Sequence, residues 1–226
     1  MAKTLTINSD CVLLVEGEAD RGFFEQVCKS LQLNPQIQVA TPKDCNGYNS
    51  KEGVFERLPL LLKNIEDGKL KQLAIVVDAD YKEANGLGYQ ATIKRISAIV
   101  AKYDFFLAKN QNNGLIFNHT DGFADIGLWI MPNNNDDGML EDFIKSCIHN
   151  QEQALFNHAS DTVINLTDKK FKDHHYSKAE IATWLAWQKV PSHGLYIAIK
   201  DKLLDNDNRL FQQLSDWLKY VYSNSP

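Results

Sequence analysis

The sequence lacks three features that mark large classes of protein. Its four cysteines include no Cys-x-x-Cys pair, so we expect free thiols in a reducing, cytoplasmic setting and no zinc ribbon. Its net charge of −5 leaves no positive excess for a broad basic face that coats nucleic acid. It has no apolar run as long as a membrane span and no signal or lipidation motif, so we expect no membrane partner.

A phosphate-binding loop of the form Gly-x-x-x-x-Gly-Lys-Ser/Thr is also missing, so the sequence contains no P-loop ATPase domain. What it does contain is 226 residues, 44% hydrophobic and 23% charged, the composition of an ordinary globular protein. That length suffices for one sizeable domain, or for one domain with an appendage.

A buried strand that ends in two carboxylates is the most informative feature. Residues 73–80 read Leu-Ala-Ile-Val-Val-Asp-Ala-Asp, and a short unbroken apolar run is typical of a strand buried on both faces of a parallel sheet. Side chains two apart in a strand point to the same side, so Asp78 and Asp80 are predicted to aim at one point. In open α/β sheets, ligands bind at this edge.

A third carboxylate, Glu16, ends an earlier apolar strand at residues 12–15. If the two strands are neighbours in a parallel sheet, the three side chains converge. Carboxylates that lie so close together repel one another unless a cation or protons offset their charge. Hard divalent ions such as Mg²⁺ choose oxygen ligands of this kind, and Glu141 is a candidate for a further one.

Alternating strand and helix patterns over residues 1–150 predict an α/β domain with a mainly parallel, Rossmann-like sheet and helices on both faces. Asn34-Pro35 is predicted to end the first helix. Residues 105–125 are ambiguous, with residues 115–117 as a candidate strand. Residues 151–226 show helical spacing and no clear strand. We expect them to form a helical appendage packed on the α/β domain.

Other interpretations stay open for several of these residues. Acids at strand ends are often solvated or cap helices, and Glu18, Asp20 and Asp142 each suit a first helical turn. An Asp-x-Asp pair also occurs in haloacid-dehalogenase-like phosphatases and in nucleotide-sugar transferases, but neither explains the Glu16-Gly17 pair.

Two further groups of polar residues are of a type that can contact ligands. The six histidines lack metal-ligand spacing and are expected on the surface or in loops. Lys43, Asn46 and Lys51 belong to a loop that leaves the second strand toward the same sheet edge, and they are candidate phosphate contacts.

The motifs Val15-Glu16-Gly17 after one apolar strand and Asp78-Ala79-Asp80 after a later one resemble the TOPRIM domain. That superfamily includes topoisomerases, bacterial primases, recombination mediators and OLD-family nucleases. The resemblance covers residues 10–150, and residues 128–143 also resemble small stand-alone TOPRIM-like proteins of unassigned function.

The resemblance implies that Glu16 is a metal ligand or general acid/base and that Asp78 and Asp80 hold Mg²⁺ or Mn²⁺. In OLD-like nucleases further acids and a downstream lysine join the site, and Glu141 and Lys178 match them here. The chain departs from the larger family members, because it is too short for a topoisomerase and lacks the zinc-binding cysteines of primases and recombination mediators.

Two functions follow as expectations. The first is a Mg²⁺- or Mn²⁺-dependent phosphodiesterase, resembling a nuclease, that acts on nucleic acid through Glu16, Asp78 and Asp80. The second is a non-catalytic TOPRIM-like module that binds a metal, a nucleotide or a protein partner. A homo-oligomer is compatible with both.

Overall fold

The computed structural model describes residues 9–39, 51–108, 114–191 and 194–223. Within these ranges six strands form one sheet in the order β2-β1-β3-β6-β5-β4. Strands β2, β1, β3 and β6 are parallel, whereas β5 runs antiparallel to β6 and β4 runs antiparallel to β5. The strands are β1 (Cys11–Val15), β2 (Gln36–Val39), β3 (Gln72–Asp78), β4 (Phe105–Leu107), β5 (Leu115–His119) and β6 (Ile126–Met131).

Helices cover both faces of this sheet, which confirms the predicted fold class of a mainly parallel α/β protein with a helical C-terminal region. The α-helices are α1 (Glu18–Ser30), α2 (Lys51–Glu66), α3 (Gly88–Val100), α4 (Leu140–Ser146), α5 (Gln153–Ile164), α6 (Tyr176–Ala186), α7 (Ile197–Lys200) and α8 (Arg209–Ser223). No helix in the described ranges is both long and apolar enough to cross a membrane.

Successive side chains along each strand point to opposite faces of the sheet, so they contribute to two separate apolar clusters. In β1, Val12 and Leu14 pack with α2 and α3, whereas Leu13 and Val15 pack with α1, α4 and the C-terminal helices. All four side chains are fully buried, so burying apolar surface stabilises both faces of this strand. This is the two-sided burial that an unbroken apolar run predicts.

The C-terminal helices share one apolar core with the sheet. Trp217 of α8 packs against Trp129 of β6, with 5.6 Å between the ring centroids. Gly114 and Gly127 make room for this ring, since a Cβ atom at either position would lie 2.1 Å or 3.0 Å from an atom of Trp217. Helix α8 therefore lies directly on the sheet.

Two local expectations differ from the structure. Helix α1 ends at Ser30, before Asn34-Pro35, because Gln32 adopts a left-handed backbone conformation with φ of 59°. His119 was expected in a loop or at the surface, and this prediction was wrong. It ends β5 and is buried between Phe105 and Phe123, with its ring centroid 4.8 Å and 4.6 Å from theirs.

Candidate functional site

The candidate site lies where the direction of chain winding reverses in the sheet. The chain passes from β1 through α1 to β2 on one side, and then returns through α2 to β3 on the other side of β1. The carboxyl ends of β1 and β3 are therefore adjacent and open into a crevice, the usual ligand position in open α/β sheets. Glu16 follows β1 directly, and Asp78 is the last residue of β3.

Glu16 and Asp78 are fixed by backbone N–H groups. The Asp78 N–H donates a hydrogen bond to Glu16 Oε1 over 2.8 Å. The Leu140 N–H, at the start of α4, donates to Asp78 Oδ1 over 2.9 Å. The predicted convergence of the first and third strands thus brings these two carboxylates together, and it draws α4 to the same point.

Asp80 reaches the site by a different route from the one expected. Strand β3 ends at Asp78, and Asp80 has a left-handed backbone conformation with φ of 61°. Its N–H donates to Gly138 O over 2.8 Å, which anchors it to the loop after β6. Strand alternation therefore does not set the direction of its side chain. Asp80 Oδ2 instead accepts a hydrogen bond from Lys51 Nζ at 2.5 Å.

Gly86 lets the loop after β3 fold against Asp80. A Cβ atom at this position would lie 2.4 Å from Asp80 Cβ and 2.8 Å from Tyr81 O. We expect Gly86→Ala to lower the free energy of unfolding by about 2 kcal/mol, because the added methyl group overpacks this turn. Urea denaturation measures the change.

Gly22→Ala is the matched control for that substitution. Gly22 lies within α1, and its Cβ would meet Tyr196 at an ordinary 3.7 Å. Alanine is more stable than glycine in a helix interior, so this variant should gain up to about 1 kcal/mol in the free energy of unfolding. Equal effects of the two variants would show that the turn at Asp80 is not tightly packed.

Asp20 and Glu141 join the three predicted acids in a group of carboxylates that influence one another's charge. The group consists of Glu16, Asp20, Asp78, Asp80 and Glu141. The pKa of Glu16 is raised to about 8 and that of Asp20 to about 6, and burial is the largest cause of both shifts. Burial also raises the pKa of Glu141, and it raises that of Asp78 well above its ordinary value. The charges of Glu16, Asp20, Glu141 and Asp80 push the pKa of Asp78 further in the same direction.

Two lysines offset part of this negative charge. Lys51, the first residue of α2, is buried beside Asp80, and its charge lowers the pKa of Glu16. Lys178 on α6 is exposed, and its charge lowers the pKa of Asp20 and Glu141. Both predicted lysines therefore lie at the acidic group. Lys43 and Asn46 lie outside the described residues.

Asp142 has a structural role, as expected of an acid in a first helical turn. Its Oδ2 accepts hydrogen bonds from the Met139 N–H at 2.8 Å and from the Tyr81 hydroxyl at 2.6 Å. Its Oδ1 accepts a hydrogen bond from the Ser177 hydroxyl. One carboxylate thus joins the start of α4, the loop after β3 and helix α6.

The donor chemistry of the site fits a hard divalent cation. Oxygen donors are the ligands that Mg²⁺ and Mn²⁺ prefer. Burial first, and then the neighbouring acids, raise the pKa values of these carboxyl groups, so a bound cation would favour their charged forms. Within the described ranges, however, no three or more His, Cys, Asp or Glu side chains are already arranged to hold one ion. Binding a metal here therefore requires side-chain movement, most directly at Asp80, whose Oδ2 is paired with Lys51.

Comparison with known proteins identifies the family of this chain. A family model described as "Protein of unknown function (DUF3226)" matches residues 10–223. The chain belongs to this family. Searches of curated proteins and of solved structures found no match. The family description names no activity, so a function for this DUF3226 member has to be argued from its site.

Sequence reasoning missed the double role of Asp20. It was assigned to the first turn of a helix, where its Oδ2 does accept a hydrogen bond from the Gly17 N–H at 3.1 Å. The same side chain also raises the pKa of Glu16 and of Asp78. The sequence carries a signal for this role, because an acid four residues after Glu16 and just inside a helix returns toward the end of β1.

Proposed function

We propose that this protein is a Mg²⁺- or Mn²⁺-dependent phosphodiesterase that acts on nucleic acid. The observation that carries the proposal is the group of interacting carboxylates at the ends of β1 and β3, in the crevice where ligands bind in open α/β sheets. The resemblance of the Glu16-Gly17 and Asp78-x-Asp80 motifs to the TOPRIM domain supports the same reaction class.

The residues that would hold the ion are Glu16, Asp78 and Glu141, with Asp80 once its pairing with Lys51 is released. A divalent ion there would activate water and offset the charge that develops on a phosphate during its transfer. Asp20 would keep its hydrogen bond to the Gly17 N–H and contribute negative charge from outside the set of ligands.

The chain's own residues would manage protons and charge. Glu16 Oε1 is occupied by the Asp78 N–H, so a proton on this group is held at Oε2. In the metal-free protein Glu16 has a pKa of about 8 and exchanges a proton near neutral pH, and it would release that proton when it binds the ion. Lys178 would supply positive charge for the oxygens of a phosphodiester, as would Lys51 once its pairing with Asp80 is released.

A specific observation also favours a second candidate, a non-catalytic TOPRIM-like module that binds a metal, a nucleotide or a protein partner. Lys51 already neutralises Asp80, and within the described ranges no three acids are preformed as a metal site. In a module that binds a nucleotide or a protein partner, the ammonium group of Lys51 would take the place of a metal ion at Asp80, and the acids would serve recognition.

Cleavage assays separate the two candidates. The wild type is incubated with plasmid and with single-stranded oligonucleotides in Mg²⁺ and in Mn²⁺, beside Glu16→Gln and Asp78→Asn. We expect the wild type to cut and each variant to lose at least about a hundredfold in rate, because each removes a charged oxygen ligand without changing shape.

Glu18→Gln is the matched control for those variants. Glu18 lies two residues from Glu16 but is exposed and pairs with Arg21. Its removal should leave the rate within about twofold, since an exposed ion pair contributes little. Cutting that persists in Glu16→Gln and Asp78→Asn would remove this site from the mechanism. Absence of cutting by the wild type under every condition would favour the non-catalytic module.

A further inference from the structure

A cleft leads away from Asp80 between two segments that are distant in sequence. One cavity, of about 580 Å³, is bounded by residues 81–84 after β3 and by residues 172–177 before and within α6. A second cavity, of about 250 Å³, contains Asp80 and Lys178. Both are lined by Tyr81, Ala84 and His174, so they adjoin along one side of the candidate site.

The wall formed by residues 172–178 is mainly basic. Lys172 and His174 line the larger cavity, and His174, His175 and Lys178 line the smaller one. Within the described residues, neither Lys172 nor Lys178 lies within ion-pair distance of a carboxylate. The charge is local, since the chain as a whole carries a net charge of −5.

Two acids also line the larger cavity, and Glu83 is the one that offsets part of this charge. Asp173 is paired with Lys169, and Glu83 lies on the opposite wall. The pKa of His175 is lowered first by burial and then by the charges of His174, Lys178 and Lys172. Several positive groups therefore act on one point of this wall, which the N-terminus of α6 makes more positive still.

Two tyrosine rings lie in the same cleft and are held in place. The Tyr81 hydroxyl donates to Asp142 over 2.6 Å. Lys169 Nζ donates to the Tyr176 hydroxyl over 2.8 Å, and the ring of Phe171 meets that of Tyr176 edge-on at 5.3 Å. Lys169 Nζ also lies over the Tyr176 ring, 4.5 Å from its centroid, so a base would stack on the opposite face of this fixed ring at little entropic cost. A basic groove with aromatic rings is the arrangement that proteins use to bind single strands.

We infer that the cleft between residues 81–84 and 172–178 binds an unpaired nucleic-acid strand and leads it past Asp80 into the acidic site. The inference rests on the proposed function for the reaction, and it adds the substrate class and the residues that select it. Lys172 and Lys178 would contact phosphates, while Tyr176 would stack on a base. A duplex should bind more weakly, because its bases are paired and stacked on one another and so cannot stack on the tyrosine rings.

The experiment measures binding separately from cleavage. Full-length Glu16→Gln protein in Mg²⁺ is titrated into a fluorescein-labelled thymidine strand of about 12 nucleotides, a length within the usual site sizes. Fluorescence anisotropy gives the dissociation constant, and a gel confirms that the strand stays intact. A duplex of equal length is titrated in parallel. We expect the single strand to bind at least about tenfold more tightly, since only unpaired bases can stack.

Substitutions in the same background test the residues. Tyr176→Leu should weaken binding about fivefold or more, whereas Tyr176→Phe, which keeps the ring, should bind nearly as the parent does. Lys172→Ala should weaken binding and reduce the salt dependence by about one phosphate contact. Lys219→Ala, an exposed lysine that lines a different cavity, is the control and should change neither.

The outcomes distinguish failure of this inference from failure of the proposed function. Equal or tighter binding of the duplex would overturn the inference even if the wild type cuts nucleic acid. So would unchanged binding by both Lys172→Ala and Tyr176→Leu. Binding that follows the expected pattern in a protein that cuts nothing would support the strand-binding cleft and reject only the catalytic proposal.

Discussion

Replacing Glu16 by glutamine should stabilise the metal-free protein at pH 8 and leave its stability at pH 4.5 almost unchanged. Burial, with the charge of Asp20, raises the pKa of Glu16 to about 8, and the charge of Lys51 offsets only part of this. Glutamine has the same shape, and its carbonyl oxygen can still accept the hydrogen bond from the Asp78 N–H. The variant therefore removes the charge without removing the contact.

The sign follows from the protons bound in each state. Between the ordinary pKa of a glutamate and about 8, folded Glu16 keeps a proton that the unfolded chain has released. The free energy of unfolding therefore falls as the pH rises through this window. The contribution of protonated Glu16 to stability is fully present below the window. Glu16 keeps part of its surface exposed, so screening by solvent reduces the loss of stability expected from this pKa shift to about 3 kcal/mol. Asp20, Asp78 and Glu141, whose pKa values are also raised, add to the same slope.

Urea denaturation at several pH values measures the effect, with Glu18→Gln as the control. We expect the wild type to lose stability from pH 5 to pH 8 and the Glu16→Gln variant to lose much less. Mg²⁺ or Mn²⁺ at pH 8 should stabilise the wild type by about 2.7 kcal/mol at a hundredfold excess over the dissociation constant. The variant should gain less. If the stability of the two proteins changed with pH in the same way, the raised pKa of Glu16 would be contradicted. If millimolar metal had no effect on the wild type, the proposed metal site would be contradicted.

The central strands and the position of the site could be predicted because both depend on local patterns. An unbroken apolar run identifies β3 and β1 as strands buried on both faces, and the alternation of strands and helices makes them parallel. Parallel strands end at the same edge, so Glu16 and Asp78 meet without any information about side-chain packing.

Other features depend on contacts that no local pattern contains. Lys51 was expected to face a phosphate, yet it is buried against Asp80, which is 29 residues further along the chain. Strand β4 could not be recognised because it has three residues, two of them exposed, and shows no alternation. The helical spacing of α8 predicted a helix but not that Trp217 would pack on β6, since two glycines in other segments create that space.

Asp142→Ala should be strongly destabilising, lowering the free energy of unfolding by about 3 kcal/mol. It leaves three donors without their acceptor, namely the Met139 N–H and the hydroxyls of Tyr81 and Ser177. Each unpaired donor in a partly buried position costs about 1 kcal/mol or more. Urea denaturation measures the loss.

Asp136→Ala is the control for that substitution, because Asp136 is exposed and accepts hydrogen bonds from Asn133 and Asn135 side chains within its own loop. It should change stability by less than about 0.5 kcal/mol. A comparably small effect of Asp142→Ala would show that its hydrogen bonds are not formed in solution.

A large effect of Asp142→Ala on stability would bear on function as well, because Tyr81 and Ser177 line opposite sides of the cleft. The Asp142 carboxylate holds those sides together, so its loss should also weaken the binding of a single strand.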